Sequence, residues 1–225
     1  MIFNDVVHGS PEWYMLRCGI PTSSEFGKII TPKTAQLSKG ADKYMNVLLA
    51  ELAMREPIDT VGSSYWIDRG NELEAAARCE YEFLTGNEVV HGGFITDDDG
   101  KYGTSPDGRI LAKNGLVEFK CPAPQTHIEY ALTGSIEDDY RPQLQGQLLI
   151  TGCDWVDIYS YHPQIKGVPV RVKRDEEYIA KLKNALENFR ERMNSKCEDL
   201  IDRGYIVIDK APAREPQVEE VFMAG

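Results

Sequence analysis

Residues 105–122 read SPDGRILAKNGLVEFKCP, and their punctuation decides how the middle of the chain folds. Pro106-Asp107-Gly108 is a turn signal, Lys113-Asn114-Gly115 is a second, and the runs DGRILA and GLVEFK that they bound are strand-like. The spacing predicts a hairpin that carries Asp107 and Glu118 at the ends of adjacent strands, side by side. Side chains at i and i+2 of a strand share a face, so Glu118 and Lys120 project together while Phe119 turns into the core. Two carboxylates and a backbone carbonyl are hard oxygen ligands, the kind that magnesium accepts together with waters and a phosphate. Lys120 at the same mouth can orient an attacking water or offset charge that builds on a phosphoryl group, which is what phosphodiester hydrolysis requires. The same D-x(10)-E-x-K pattern also fits a surface Asp in a turn and a plain cross-strand Glu/Lys pair, so the rest of the chain has to decide.

Upstream of the hairpin, EVVHGGFIT (88–96) and KYGTSP (101–106) are strand-like and separated by DDDG, which extends the pattern into an antiparallel meander. Downstream, residues 125–133 and 138–151 are helical, DWVDIYSYH and VPVRVKR are strands, and 175–197 is a long helix with Tyr178, Leu182, Leu186, Phe189 and Met193 on one stripe. In the N-terminal part, Ser10 and Pro11 have the N-cap and N1 pattern of a short helix that ends near Gly19. Thr22 and Glu25 have capping-box spacing and open another helix. Residues 31–40 read as a mobile polar loop, with lysines at 28, 33 and 39 around it. Residues 41–55 and 63–84 repeat apolar positions at helical spacing, ended by Pro57 and Gly86. This order of helices, strands, helix, strands and helix predicts an α+β or mixed α/β fold with a central sheet, a single domain over residues 1–204, and an extension of unknown role at 205–225.

Composition bounds the possibilities. No apolar run approaches the roughly 18–20 residues that span a bilayer, and the N-terminus MIFNDVVHGS lacks a basic and apolar leader, so a cytoplasmic protein without membrane association is expected. The five cysteines are odd in number and contain no C-x-x-C pair, which predicts reduced, mostly buried thiols. A net charge of −11 excludes a nonspecific nucleic-acid coat but not a nucleic-acid enzyme whose basic groups line a groove.

Three further features accompany the hairpin. Glu74 lies mid-helix in RGNELEAAA among small residues that allow close approach to a sheet, with Glu72 as its competitor. YRPQLQGQLLIT (140–151) carries Tyr140, Gln143, Gln145 and Gln147, more amides than an amphipathic helix requires. Arg17 precedes the helix start bearing Ser24, a combination of guanidinium, hydroxyl and backbone N–H groups suited to an anion.

Five ordered motifs, EWYMLRCGIPTSSEF (12–26), YMNVLLAEL (44–52), RGNELEAAA (69–77), the SPDG and EFKCP pair, and YRPQLQGQLLIT, together resemble the lambda-exonuclease-type viral alkaline exonucleases, the YqaJ-like family of the PD-(D/E)xK nuclease superfamily. The likeness runs over roughly residues 8–200. It implies a restriction-endonuclease-like core with a central mixed sheet flanked by helices. It implies that Asp107, Glu118 and the Phe119 carbonyl bind Mg2+, with Glu74 as ligand or neighbour, two ions per site and Mn2+ as a substitute. Lys120 would be the catalytic lysine. Arg17, Ser24, Ser105 and Gln143 would hold the 5′-terminal phosphate, and Tyr140, Ile67 and Lys39 are candidates for DNA contact. The family forms a homotrimeric ring that digests one strand of linear double-stranded DNA 5′ to 3′, releases 5′-mononucleotides, and hands 3′ overhangs to a single-strand annealing protein. For this chain the alternatives are an endonuclease of the same fold and a non-catalytic DNA-binding module.

Overall fold

In a computed structural model of the chain the described residues are 2–3, 6–58, 65–134 and 136–207, with backbone alone described at 2, 3, 65–68, 71, 137 and 139. The extension expected at 205–225 is described only as far as residue 207, and the side chain of Ile67 lies outside the described residues.

The helices begin where the side chains predict, with one exception. Ser10 caps α1 (Pro11–Arg17), its Oγ accepting the Trp13 N–H at 3.2 Å. Thr22 caps nothing: its hydroxyl accepts from Arg17 at 3.1 Å, Glu25 is ion-paired to Lys28, and the expected capping-box helix is instead a 3-10 helix over Ser23–Lys28. Both capping groups had found stronger, charged partners. The loop at 31–40 is pinned rather than open, with Thr31 exchanging hydrogen bonds with Gln36 and the Ser38 N–H donating to the Ile29 carbonyl at 2.8 Å. There follow α2 (Ala41–Met54) and α3 (Tyr65–Thr85), then α4 (Pro124–Thr133), α5 (Ile136–Thr151) and α6 (Glu176–Asp202), the last capped at its start by Asp175 and running past the expected 197 where Cys197 and Leu200 continue its packed stripe. Among the described residues no helix is long and apolar enough to cross a membrane.

The strands form two sheets, not one meander. β1 (Ile2–Phe3), β3 (Phe94–Thr96) and β4 (Gly103–Thr104) make the smaller one. The larger has the order β2 (Val90–His91), β5 (Gly108–Ile110), β6 (Gly115–Lys120), β7 (Trp155–His162), β8 (Ile165–Lys173). The ladders Val90↔Arg109 and Ile95↔Thr104 share one register, so β2–β3 and β4–β5 are a single long hairpin broken in the middle. Gly92 and the Ser105-Pro106-Asp107 segment cause the break: Pro106 has no N–H to offer, and its carbonyl lies so close to Gly92 that a Cβ there would overlap it. β6 and β7 are parallel, joined through α4 and α5, which makes the five-stranded sheet mixed.

Alternation along β6 and β7 assigns the two faces. Val117, Phe119, Trp155 and Tyr159 pack with Ala77 and Tyr81 of α3, whereas Leu116, Val156 and Ile158 pack with Leu144 and Leu148 of α5 and Tyr130 of α4. A further layer, built by α2, α6 and the 3-10 helix around Phe26, Met45, Leu186 and Phe189, closes over α5. The cysteines are all free, but the expectation of burial fails: Cys79 is exposed and the other four are half-buried.

Candidate active site

The hairpin register places the carboxylates. Gly108 pairs with Val117, so Asp107, just before β5 begins, stands opposite Glu118 where β6 continues. Asp107 replaces the missing ladder bond with its side chain, Oδ2 accepting the Phe119 N–H at 2.7 Å, while its backbone carbonyl accepts Arg78 Nη2 of α3 at 2.9 Å. Glu118 is 3% exposed. Its Oε1 accepts from Lys120 Nζ at 2.7 Å and Gln143 Nε2 at 2.6 Å, and its Oε2 accepts from Gln147 Nε2 at 2.7 Å. Residues 143 and 147 are one turn apart on α5, so both amides reach the same carboxylate on the face of β6 that α5 covers. The expected amide surplus therefore divides in two. Gln145 points the other way and fastens α5 to the end of β8, donating to the Lys173 carbonyl at 2.9 Å and accepting the Asp175 N–H at 2.9 Å.

Electrostatics follow from that packing. Burial and then the Glu118 charge raise Asp107 well above the ordinary aspartate range, against the pull of Lys120. Burial by itself would lower Lys120, but Glu118 and Asp107 outweigh it and hold its pKa above the usual lysine value. Lys120 also lies 4.8 Å from the centroid of the Tyr140 ring.

These groups line a pocket of about 460 Å³ whose wall includes Glu74, Ser105, Arg17, Ser24, Tyr140 and Gln143. Glu74, not Glu72, turns toward it; Glu72 is exposed elsewhere on α3, and Glu74 is 3.6 Å from Arg78. Arg17 donates to Thr22 and Ser24 at 3.1 and 3.3 Å and lies 3.9 Å from the centroid of the Trp13 ring. Burial lowers its pKa from the usual arginine value, without discharging a guanidinium. The Trp13 indole N–H donates to Ser105 Oγ at 2.9 Å, which leaves the Ser105 hydroxyl proton free to serve another acceptor. Gly146 of α5 lies against the Phe26 ring with no room for a Cβ, and this close approach carries the serines of the 3-10 helix up to the pocket. Lys39 is exposed and not part of the pocket wall. Sequence reasoning passed over Gln147 as a site residue, as well as Trp13, His8 and Arg78. The i, i+4 repeat of Gln143 and Gln147 was the signal for the first; the others carried none.

Among the described residues no group of three or more His, Cys, Asp or Glu side chains stands close enough to hold a metal unaided. The donor set nevertheless suits a magnesium-like ion, which takes one or two carboxylates and completes its shell with water and phosphate. The strained ionisation of Asp107 beside Glu118 is the observation that fits it: a half-buried and a buried carboxylate face one ammonium, and a divalent cation would relieve the excess.

Comparison with known proteins gives a consistent picture. A family model described as the YqaJ-like viral recombinase domain matches residues 12–154. The crystal structure of an alkaline exonuclease, LHK-Exo, from Laribacter hongkongensis is 30% identical, superposes with a TM-score of 0.78, and is matched over 86% of this chain and 97% of that one. The same protein in complex with dAMP matches equally well, with a TM-score of 0.78 and 30% identity over the same shares of both chains. A phage-related exonuclease from Haemophilus somnus 129PT, 17% identical with a TM-score of 0.66 over 80% of this chain and 96% of that one, shares the fold. No curated protein matches the chain.

Proposed function

The chain belongs to the family of YqaJ-like viral recombinase domains and is a nuclease of the exonuclease kind, and from that premise we propose that it is a Mg2+-dependent exodeoxyribonuclease that digests one strand of linear duplex DNA 5′ to 3′. One observation carries the reading: Asp107 and Glu118 converge beside Lys120 in a pocket whose other wall holds Arg17 and Ser24. The complex of the LHK-Exo neighbour with dAMP, a mononucleotide, agrees with release of 5′-mononucleotides.

Asp107 and Glu118, with the Phe119 carbonyl and with Glu74 nearby, would hold the cation. Bound there, Mg2+, two ions per site in the full reading and replaceable by Mn2+, supplies Lewis-acid activation of water and offsets charge on the phosphate. The chain's own groups do the rest. Arg17 and Ser24 grip the 5′-terminal phosphate, joined by the Ser105 hydroxyl that Trp13 orients, and this fixes which phosphodiester lies over the carboxylates. Lys120 orients the attacking water and lowers the energy of the negative charge that grows on the phosphoryl oxygens. Water attacks phosphorus, the P–O3′ bond breaks, and the leaving O3′ takes up a proton, freeing a 5′-mononucleotide and a new 5′-phosphate. Gln143 reaches this set through Glu118, and Tyr140 supports Lys120 at the DNA-facing mouth. Lys39 would meet the duplex beyond the pocket, and Ile67 is a further candidate for DNA contact.

The wider reading includes a ring of three copies around DNA, action in the cytoplasm of a bacterium or infected host, and transfer of 3′ overhangs to a single-strand annealing protein. The test is digestion of a linear duplex labelled at either 5′ or 3′ end, with and without Mg2+, beside a covalently closed circle. Mononucleotides should appear first from the 5′ label, only with Mg2+, and the circle should survive. A cut circle would make it an endonuclease, and no cleavage at all a DNA-binding module. Light scattering should give three times the 25.3 kDa chain mass.

A further inference from the structure

Glu118 is gripped at both oxygens, and the two grips differ in kind. Oε1 takes the Lys120 ammonium and the Gln143 amide, both from residues on the pocket wall. Oε2 takes the amide of Gln147, a residue with no exposed surface. Among the described residues the side-chain carbonyl oxygen of Gln147, Oε1, has no hydrogen-bond partner, so the contact with Glu118 is what this buried side-chain amide does. A buried, unpaired carbonyl is a disadvantage that a methionine or leucine in the same place would not carry.

The terminal torsion of a glutamate is broad and nearly two-fold, so a carboxylate held at one oxygen can swing about that anchor. Held at both, it cannot. A neutral amide provides the second hold without adding a positive charge; a lysine or arginine there would cancel part of the field that attracts a cation.

We propose that Gln147 is a positioning residue that fixes the rotation of the Glu118 carboxylate, and with it the direction in which that carboxylate presents its lone pairs to a divalent cation. This deepens the proposed function and rests on its reading of Glu118. A role in core packing alone predicts a different outcome: lower stability with normal cation binding.

The test uses full-length Gln147→Met, which matches the glutamine in length, and Gln147→Leu. Mn2+ affinity, measured by electron paramagnetic resonance without DNA, should fall roughly ten- to hundredfold, as for other groups that orient metal ligands. With saturating Mg2+, kcat on a 5′-phosphorylated linear duplex should fall by a similar factor while KM for ends stays put, because Gln147 does not face DNA. Folded variants with wild-type Mn2+ affinity and kcat would overturn the proposal. Should neither variant fold, the wild-type side-chain amide resonances of Gln147 still decide: they must move when Mg2+ is added, and resonances that stay still refute it. A wild-type protein that binds no Mn2+ would instead remove the reading of Glu118 itself, and the proposal with it.

Discussion

Burial and the neighbouring Glu118 carboxylate raise the pKa of Asp107, so folding keeps a proton there that an unfolded chain would release. The group thus adds no penalty below the ordinary aspartate range, and stability is lost as pH rises from there through the raised value. In cation-free protein, Asp107→Asn should therefore melt higher than wild type, by a few degrees at roughly 2–4 °C per kcal/mol, with the gap opening as pH climbs from about 4 toward neutral. Mg2+ should close the gap by stabilising only the wild type. A gap that does not change with pH would show that Asp107 is not strained. In digestion assays Asp107→Asn and Glu118→Gln should each lose several orders of magnitude. Arg17 makes a separate prediction. Its hydrogen bonds to Thr22 and Ser24 leave further guanidinium N–H groups for an anion. Arg17→Ala should slow digestion of 5′-phosphorylated ends about 10- to 100-fold, the worth of one charged hydrogen bond, and hardly affect 5′-hydroxyl ends. Equal losses on both substrates would make Arg17 a structural partner of Trp13.

At the scale of elements, the site exists because a long hairpin is interrupted. The ladder of β2–β5 and that of β3–β4 share a register, and between them Ser105-Pro106-Asp107 leaves the pairing, with Ser105 and Asp107 turned to the pocket. Gly92 accepts the Pro106 carbonyl against its Cα, and any side chain would drive the two strands apart. Gly92→Ala should cost about 3 kcal/mol, the upper end for overpacking, or roughly 6–12 °C in Tm for a chain of this size. Activity measured well below the new Tm should fall further than stability alone explains, since Asp107 moves with Pro106. Thermal melts and initial rates of the same preparation check both, and a variant with wild-type rates would show that the break does not position Asp107.

For the whole molecule the question is how an acidic chain would hold DNA under the proposed function. With a net charge of −11 and a pI near 4.9, favourable contact depends on where the cations lie, not on how many there are. Arg17 and Lys120 share one pocket, while Arg192 and Lys196 are tied to Asp42 on the far layer. Binding to a duplex end should thus remain strongly salt-dependent, losing on the order of a thousandfold between 50 and 200 mM salt if some six phosphates are contacted. Titration by fluorescence anisotropy measures this, and a flat response would rule out a cation-lined channel.

What the sequence determined by itself is local. The turn signal at Lys113-Asn114-Gly115 and the two-residue period of the strand from Gly115 to Lys120 were enough to bring Asp107, Glu118 and Lys120 together and send Phe119 inward, because parity and register need only neighbours in the chain. Helical periods set the apolar faces of α2, α3 and α6 for the same reason. Other features were decided by tertiary structure alone. Thr22 and Glu25 lost their capping roles to Arg17 and Lys28, the meander divided where Gly92 meets Pro106, and Gln147 found Glu118 across 29 residues of chain. Periodicity states which side chains must leave water. Which buried polar group then satisfies which depends on how helices settle across the sheet, and that contact is absent from any single stretch of sequence.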